Sequence, residues 1–199
     1  MESLRLAWRT VQDRRVLADA LRDALADCWQ LACELVWGMK PGFEEAYASY
    51  DPQTRNVHLN PCLEEASQVE LSYYLVHELR HAYQYQHRDA LGSLLDRSLS
   101  YVLQYDGTCF RQLDGAWKEV RLSGGTAWWT DLYTNQPHEV DANSAAYDVL
   151  CNLVDEHEKA ELESLRALWL PRHEVIQAEQ MHSALLDAYR AIDRGIKAT

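Results

Sequence analysis

The chain has 199 residues, of which 47 % are hydrophobic and 25 % charged, and this balance argues against disorder and favours one compact domain. Its formal net charge of −12 offers no basic surface to phosphate backbones or anionic lipid, so we expect neither nucleic acid nor a membrane as a partner. No apolar run approaches the roughly 18 residues that a membrane span needs.

The cysteines are five in number, scattered, and without a CxxC pair. An odd count of this kind is typical of reduced core residues, and no signal-like apolar segment opens the chain. We therefore expect a cytoplasmic protein. The cysteines are Cys28, Cys33, Cys62, Cys109 and Cys151.

Residues 3–37 carry apolar side chains at three- and four-residue spacing, which predicts helix, and Gly38 with Pro41 would end it. The pattern allows one long helix or two, because nothing in the sequence fixes a break. Its repeating positions are Leu21, Leu25, Cys28, Leu31 or Ala32, and Leu35.

Residues 46–60 alternate between polar and apolar around Asp51-Pro52, which predicts a β-hairpin. We expect its second strand, residues 56–60, to form an exposed edge that could pair with an extended peptide. His58 lies on this strand, where a pairing or surface role is favoured over metal binding.

The sharpest chemical signal is the motif HExxH, formed by His77, Glu78 and His81 within residues 71–87. Helical residues four apart lie about 40° apart around the axis and about 6 Å apart along it, so both imidazoles can reach one metal ion. Glu78 could then take a proton from a water at that ion. The opposite side of the helix is apolar, at Leu71, Leu75, Leu79 and Ala82, which predicts core behind and cleft in front. The alternative is an exposed helix with two ordinary surface histidines.

Residues 90–129 have a less regular pattern. Residues 90–105 keep helical spacing, and residues 106–129 contain Gly-rich punctuation that predicts loops with at most one short hairpin. Trp117, Trp128 and Trp129 could line or cover a substrate cleft, but packing beneath a long loop is the favoured interpretation.

A second informative helix is predicted from Asn135, a capping residue type, with Pro137 in its first turn. Glu139 and Asn143 are four residues apart and share a face, so one could bind a metal while the other hydrogen-bonds a ligand histidine. Glu139 is the preferred third ligand, and Asp141 and His138 are the alternatives. A purely structural role for Glu139 at the positive end of the helix dipole is also open.

These two motifs, HELRH at residues 77–81 and PHEVDANSAA at residues 137–146, resemble the minimal zincin metallopeptidases of the gluzincin type. The second is similar to the ligand helix of the ImmA/IrrE-like proteins, and the resemblance covers residues 46–155. It implies one zinc ion held by His77, His81 and Glu139, Glu78 as general base, and Asn143 beside the ligands at a position that is often acidic. The N-terminal helical region and the long, Trp-rich spacer before Glu139 depart from the family pattern.

The resemblance implies a zinc metallopeptidase that uses an activated water to hydrolyse peptide bonds of a protein or peptide substrate. Two alternatives are a catalytically silent metal-binding regulatory protein on the same scaffold, which the retained Glu78 argues against, and a zinc hydrolase of a non-peptide bond. Candidates for stabilising an oxyanion exist by residue type alone, and none is assigned: Tyr133, Tyr147, His157 and His173.

Residues 156–198 again have helical spacing, broken at Pro171. The predicted fold class is therefore α+β and predominantly α, with a zincin-like core made of the active-site helix, a short hairpin with an edge strand, and flanking helices. We expect a single domain over residues 1–199, with an N-terminal helical region (1–40), a catalytic core (46–155) and C-terminal helices (156–199).

Overall fold

The computed structural model describes residues 2–104, 106–121, 126–169 and 178–198. It has 59 % helix and 15 % strand, which confirms an α+β fold dominated by helices. The chain forms two compact units, Met1–Arg88 with Asp141–Leu168, and Asp89–Val140 with Trp169–Thr199. No helix among the described residues is both long enough and apolar enough to span a membrane. The single-domain organisation stays a prediction.

The first unit begins with two helices, α1 (Glu2–Thr10) and α2 (Arg14–Trp29). The break that the sequence left open lies before Asp13, whose carboxylate accepts hydrogen bonds from the first backbone N–H groups of α2. Gln30 ends α2 in the left-handed conformation, with φ of 55°. The predicted helix over residues 3–37 is therefore wrong at its C-terminal end, where β1 (Glu34–Trp37) is a strand.

Three short strands form the sheet of this unit, in the order β1-β3-β2. β2 (Ala48–Asp51) and β3 (Asn56–Leu59) are antiparallel and confirm the predicted hairpin. β1 pairs with β3 in parallel, with Leu35 opposite Val57. The prediction that β3 is an exposed edge is wrong, because this long-range pairing makes β3 the central strand and leaves β1 and β2 at the edges.

The central helix α3 (Gln68–Gln86) follows a 3₁₀ turn at Pro61–Glu64. Ser67 caps it by accepting a hydrogen bond from the Glu70 N–H at 2.9 Å. Its apolar face packs on α2 and on β2 and β3. The four predicted core residues are fully buried, which confirms the apolar back of the helix: Leu71, Leu75, Leu79 and Ala82.

Two later helices complete the first unit. α6 (Pro137–Cys151) begins at Pro137 as expected, and the boundary between the units falls within its first turn, so that residues 141–151 belong with α3. α7 (Lys159–Trp169) starts near Glu158, whose carboxylate accepts a hydrogen bond from the Trp8 indole at 3.0 Å. Helix after residue 156 is thereby confirmed, whereas Pro171 lies outside the described residues.

The second unit contains a three-stranded antiparallel sheet flanked by helices. The helices are α4 (Ser93–Ser98), α5 (Thr126–Thr134) and α8 (Ala178–Ala198), and the strands are β4 (Tyr101–Leu103), β5 (Thr108–Leu113) and β6 (Ala116–Arg121). α8 packs on β5 and β6, and its core residues include Leu185, Tyr189 and Ile192.

Two predictions for the second unit are wrong. Residues 101–103 are strand rather than helix, because β4 pairs with β5, and Tyr105 lies outside the described residues. The expected short hairpin is β5–β6, turned by Asp114 and Gly115, both with positive φ. The loop prediction missed α5, whose Trp129 is buried in the core of the unit. That burial confirms the packing interpretation for Trp129.

Asp51 stabilises the turn of the first hairpin. It is 8 % exposed, forms an ion pair with Lys40 and accepts a hydrogen bond from Thr54 Oγ1 at 2.7 Å. Burial raises the pKa of this carboxyl, but the hydrogen bonds from Lys40 and Thr54 outweigh burial and bring the pKa down to about 2. A carboxyl with a lowered pKa in the folded state stabilises the fold only while it is ionised.

We therefore expect Asp51→Asn to lower the free energy of unfolding at neutral pH by about 2 kcal/mol. In the wild type this contribution is complete above the ordinary pKa of 3.8 and is lost as the pH falls towards about 2. The variant should lack this part of the acid dependence. Urea unfolding at several pH values measures both effects, with the exposed Glu45→Gln as control. Parallel stability–pH curves for Asp51→Asn and wild type would contradict the assignment.

Candidate metal centre

His77 and His81 project from consecutive turns of α3 towards one point. Their Nε2 atoms are 3.0 Å apart, and their rings meet edge to face with centroids 4.6 Å apart. His81 is buried and His77 is half-buried as a residue. The helical spacing that the motif predicted therefore places two imidazole nitrogens side by side.

Glu139 lies in the first turn of α6, one turn before Asn143. Two contacts inside the first unit set the position of this helix against α3: one joins His77 to Asn143, and the other joins Arg80 to Asp141. Among the described residues, one group of His, Cys, Asp and Glu side chains could hold a metal ion, namely His77, His81 and Glu139, whose ligand atoms all lie within 4.8 Å of one another. This group consists of the three residues that the sequence singled out.

Asn143 occupies the position expected for a hydrogen-bonding neighbour of a ligand histidine. Its Oδ1 lies 3.0 Å from His77 Nδ1 and accepts a hydrogen bond from the Tyr73 hydroxyl at 3.3 Å. Since Tyr73 donates to Oδ1 and an amide oxygen can only accept, His77 Nδ1 must carry the hydrogen in the contact with Asn143. Burial also raises the pKa of Tyr73, which keeps the phenol protonated as a donor.

The donor set fits a divalent metal ion. His81 Nδ1 lies 2.8 Å from the Gln84 side-chain oxygen, so both histidines face a carbonyl-type acceptor through Nδ1. In neutral imidazoles this leaves the two Nε2 atoms, 3.0 Å apart, as the nitrogens whose lone pairs could bind a cation. Two nitrogens at 2.0–2.1 Å from a tetrahedral zinc ion are about 3.3 Å apart, close to the observed separation.

Glu78 lies on α3 next to His77 and is 9 % exposed. Among the described residues, its carboxylate has no hydrogen-bond or ion-pair partner. A buried carboxylate without a partner is costly, whereas a carboxylate that accepts a hydrogen bond from a water or substrate is not. Glu78 is therefore free to act on a molecule that enters the site.

The alternative third ligands are engaged elsewhere. Asp141 forms a two-point ion pair with Arg80, at 2.7 and 3.1 Å. Burial raises the pKa of Asp141, but the hydrogen bonds from Arg80 and Gln84 outweigh it, so the net shift is downward and the carboxylate stays ionised. His138 is buried with its Nδ1 3.1 Å from Ser98 Oγ.

His58 and the oxyanion candidates are not part of the group either. His58 Nδ1 contacts the Gly38 carbonyl oxygen at 3.0 Å, a role within the sheet region. The Tyr147 hydroxyl donates to Glu163, which raises the pKa of Tyr147 to about 12. His157 is exposed, Tyr133 is half-buried, and His173 lies outside the described residues.

Sequence reasoning missed the polar network behind His81, which consists of Gln84, Asp141 and Arg80. A signal was present, because Gln84 follows His81 by three residues and so shares its face of α3. The partner on α6 could not be identified in this way, because contacts between helices depend on how they pack.

Compared with protein-family models, with curated proteins and with solved structures, the chain has no match. The geometry of the residues themselves is thus the basis for the functional conclusion.

Metal binding should depend on the histidine pair. We expect His77→Ala and His81→Ala each to abolish high-affinity zinc binding, because two remaining ligands do not complete the three-ligand protein set of a catalytic site. Competition with a zinc-binding dye measures the affinity, and His157→Ala, at an exposed position, is the control. Equal zinc affinity in wild type and both histidine variants would show that the ion binds elsewhere.

Proposed function

We propose that this chain is a zinc-dependent metallopeptidase, with His77, His81 and Glu139 as zinc ligands and Glu78 as general base. The observation that supports the proposal most directly is the pair of imidazole Nε2 atoms 3.0 Å apart, next to the buried Glu78, whose carboxylate has no partner among the described residues. The proposal includes the zincin-like core expected from the resemblance to ImmA/IrrE-like proteins.

When bound in such a site, zinc would supply Lewis-acid chemistry, polarising a substrate carbonyl and acidifying a water. The chain's own residues supply the rest. Glu78 accepts a proton from the attacking water and can pass it to the leaving amine, so one carboxylate serves first as general base and then as general acid. Asn143 holds the His77 ring in place through Nδ1, so that its Nε2 stays directed into the site.

The presence of Glu78 favours catalysis over a silent metal site, because a purely structural site needs no base. The donor set itself is compatible with zinc and with other first-row divalent ions, and two histidines with one carboxylate are the ligand set of zinc peptidases. Hydrolysis of a non-peptide bond by the same chemistry is the second candidate. A protein or peptide substrate and a cytoplasmic location are parts of the proposal.

Glu78→Gln separates catalysis from binding. The change keeps the size of the side chain and removes the base, so zinc content and affinity should be retained while peptide cleavage falls by about 10²–10⁴-fold. Elemental analysis measures the zinc content, and mass spectrometry of a broad peptide library measures cleavage. Glu70→Gln, two turns earlier on α3, is the matched control and should cleave like the wild type.

Zinc-loaded wild type that leaves every peptide intact, as Glu78→Gln does, would contradict the peptidase. A set of small ester and amide substrates then tests hydrolysis of a non-peptide bond in the same two proteins. Wild type that binds no zinc after careful purification and reconstitution would contradict the metal site itself.

A further inference from the structure

We propose that Gln84 is a positioning residue, which fixes the hydrogen on Nδ1 of His81 and so leaves Nε2 available to the metal, and that Asp141 and Arg80 set the orientation of Gln84. This inference deepens the proposed zinc site and rests on it. It concerns residues other than His77, Glu78 and His81, and all of them lie in the first unit.

The direction of each hydrogen bond follows from the carboxylate at one end. The Gln84 amide nitrogen donates to Asp141 Oδ2 at 2.8 Å, on the carboxylate that also accepts two hydrogen bonds from Arg80. The Gln84 oxygen then faces His81 Nδ1 at 2.8 Å, and because an amide oxygen can only accept, Nδ1 must carry the hydrogen. Asp141 on α6 therefore determines, through one amide, which nitrogen of His81 carries the hydrogen.

The carboxylate is held in turn by Arg80. The guanidinium donates to both oxygens of Asp141, at 2.7 and 3.1 Å, a geometry that fixes the plane of the carboxylate. Arg80 also lies over the Tyr83 ring, 4.5 Å from its centroid, and near the Trp29 ring at 5.7 Å. Stacking against two aromatic rings leaves the guanidinium little freedom to turn away.

Because Gln84 and His81 are buried, losing one of their hydrogen bonds is costly. Gln84 is fully buried and His81 is 8 % exposed, so water cannot readily replace a lost partner. If the amide of Gln84 were reversed, its NH₂ would face Asp141 no longer and would point at His81 instead. His81 would then carry its hydrogen on Nε2, where that hydrogen would block the metal.

The experiment compares metal-free and zinc-loaded full-length protein, with zinc alone as the probe. Gln84→Met keeps an unbranched side chain but removes both hydrogen bonds, so the dissociation constant for zinc should rise by about 10–100-fold. Nitrogen-15 NMR of the metal-free protein should show His81 protonated on Nδ1 in wild type and on Nε2 in the variant. Gln86→Met is the matched control, because Gln86 is also on α3 and bonds to Ala32 but does not contact His81, and its zinc affinity should equal that of the wild type.

Exchanging the amide and the carboxylate between positions 84 and 141 conserves the charge and should restore zinc binding. Asp141→Asn alone frees the Gln84 amide to reverse and should weaken zinc binding. In the double variant Gln84→Glu with Asp141→Asn, the new carboxylate accepts from His81 Nδ1 and the new amide donates to it, so affinity and tautomer should return towards wild type. If Gln84→Met does not fold, this comparison still tests the positioning role of Gln84. Asp141→Asn that binds zinc as tightly as wild type, with His81 still protonated on Nδ1, would overturn the inference.

Failure of this inference is distinguishable from failure of the proposed function. If wild type cleaves peptides and Glu78→Gln does not, while a folded Gln84→Met binds zinc like wild type, the positioning role is wrong and the peptidase stands. If the zinc affinities follow the expected order but no peptide is cleaved, the positioning role stands and the peptidase is wrong.

Discussion

The pairing of α3 with α6 is the contact on which the candidate site depends. Polar side chains of α3, His77, Arg80 and Gln84, form hydrogen bonds with Asn143 and Asp141 of α6. Gln84 is buried and the other four residues are partly buried, so these polar groups need partners, which favours a register of the two helices that satisfies them. Complementary hydrogen bonding therefore determines how residues 141–151 of α6 lie against α3.

At that interface the two histidines are held by different kinds of hydrogen-bond partner. His77 is oriented by a neutral amide, Asn143, which a buried phenol supports. His81 is oriented by Gln84, which an ionised carboxylate and a guanidinium support. Opposite charges that are hydrogen-bonded in a partly buried place resist rearrangement, because breaking one contact leaves the other charge unpaired. The His81 side of the site is thus the more rigidly held, and preorganisation of this kind is what tight metal binding requires.

The parts of the fold that were predicted wrongly from the sequence share one physical property. Residues 34–37 and 101–103 keep a spacing compatible with helix, yet both are strands, because each gains a partner strand elsewhere in the chain. The position of β3 at the centre of its sheet follows from the first of these pairings. Local spacing reports which face of a segment is apolar and does not report which backbone lies alongside it. α5 was missed because Gly124-Gly125 directly before it favoured a loop, and its nine residues are too few to show a clear helical period.

The sequence by itself determined those features whose causes are local: the α3 helix with its apolar back, the hairpin at Asp51-Pro52, the start of α6 at Pro137, and the residue types of the candidate site. Helical geometry alone places His77 beside His81 and Glu139 one turn from Asn143. Only the tertiary structure decided that α3 and residues 141–151 of α6 meet, that Arg80 forms an ion pair with Asp141, and that Asp141 also accepts a hydrogen bond from Gln84. Those outcomes depend on contacts between residues about sixty positions apart in the sequence. Burial and charge determine which of these contacts form, and the spacing of residues along the chain does not show either effect.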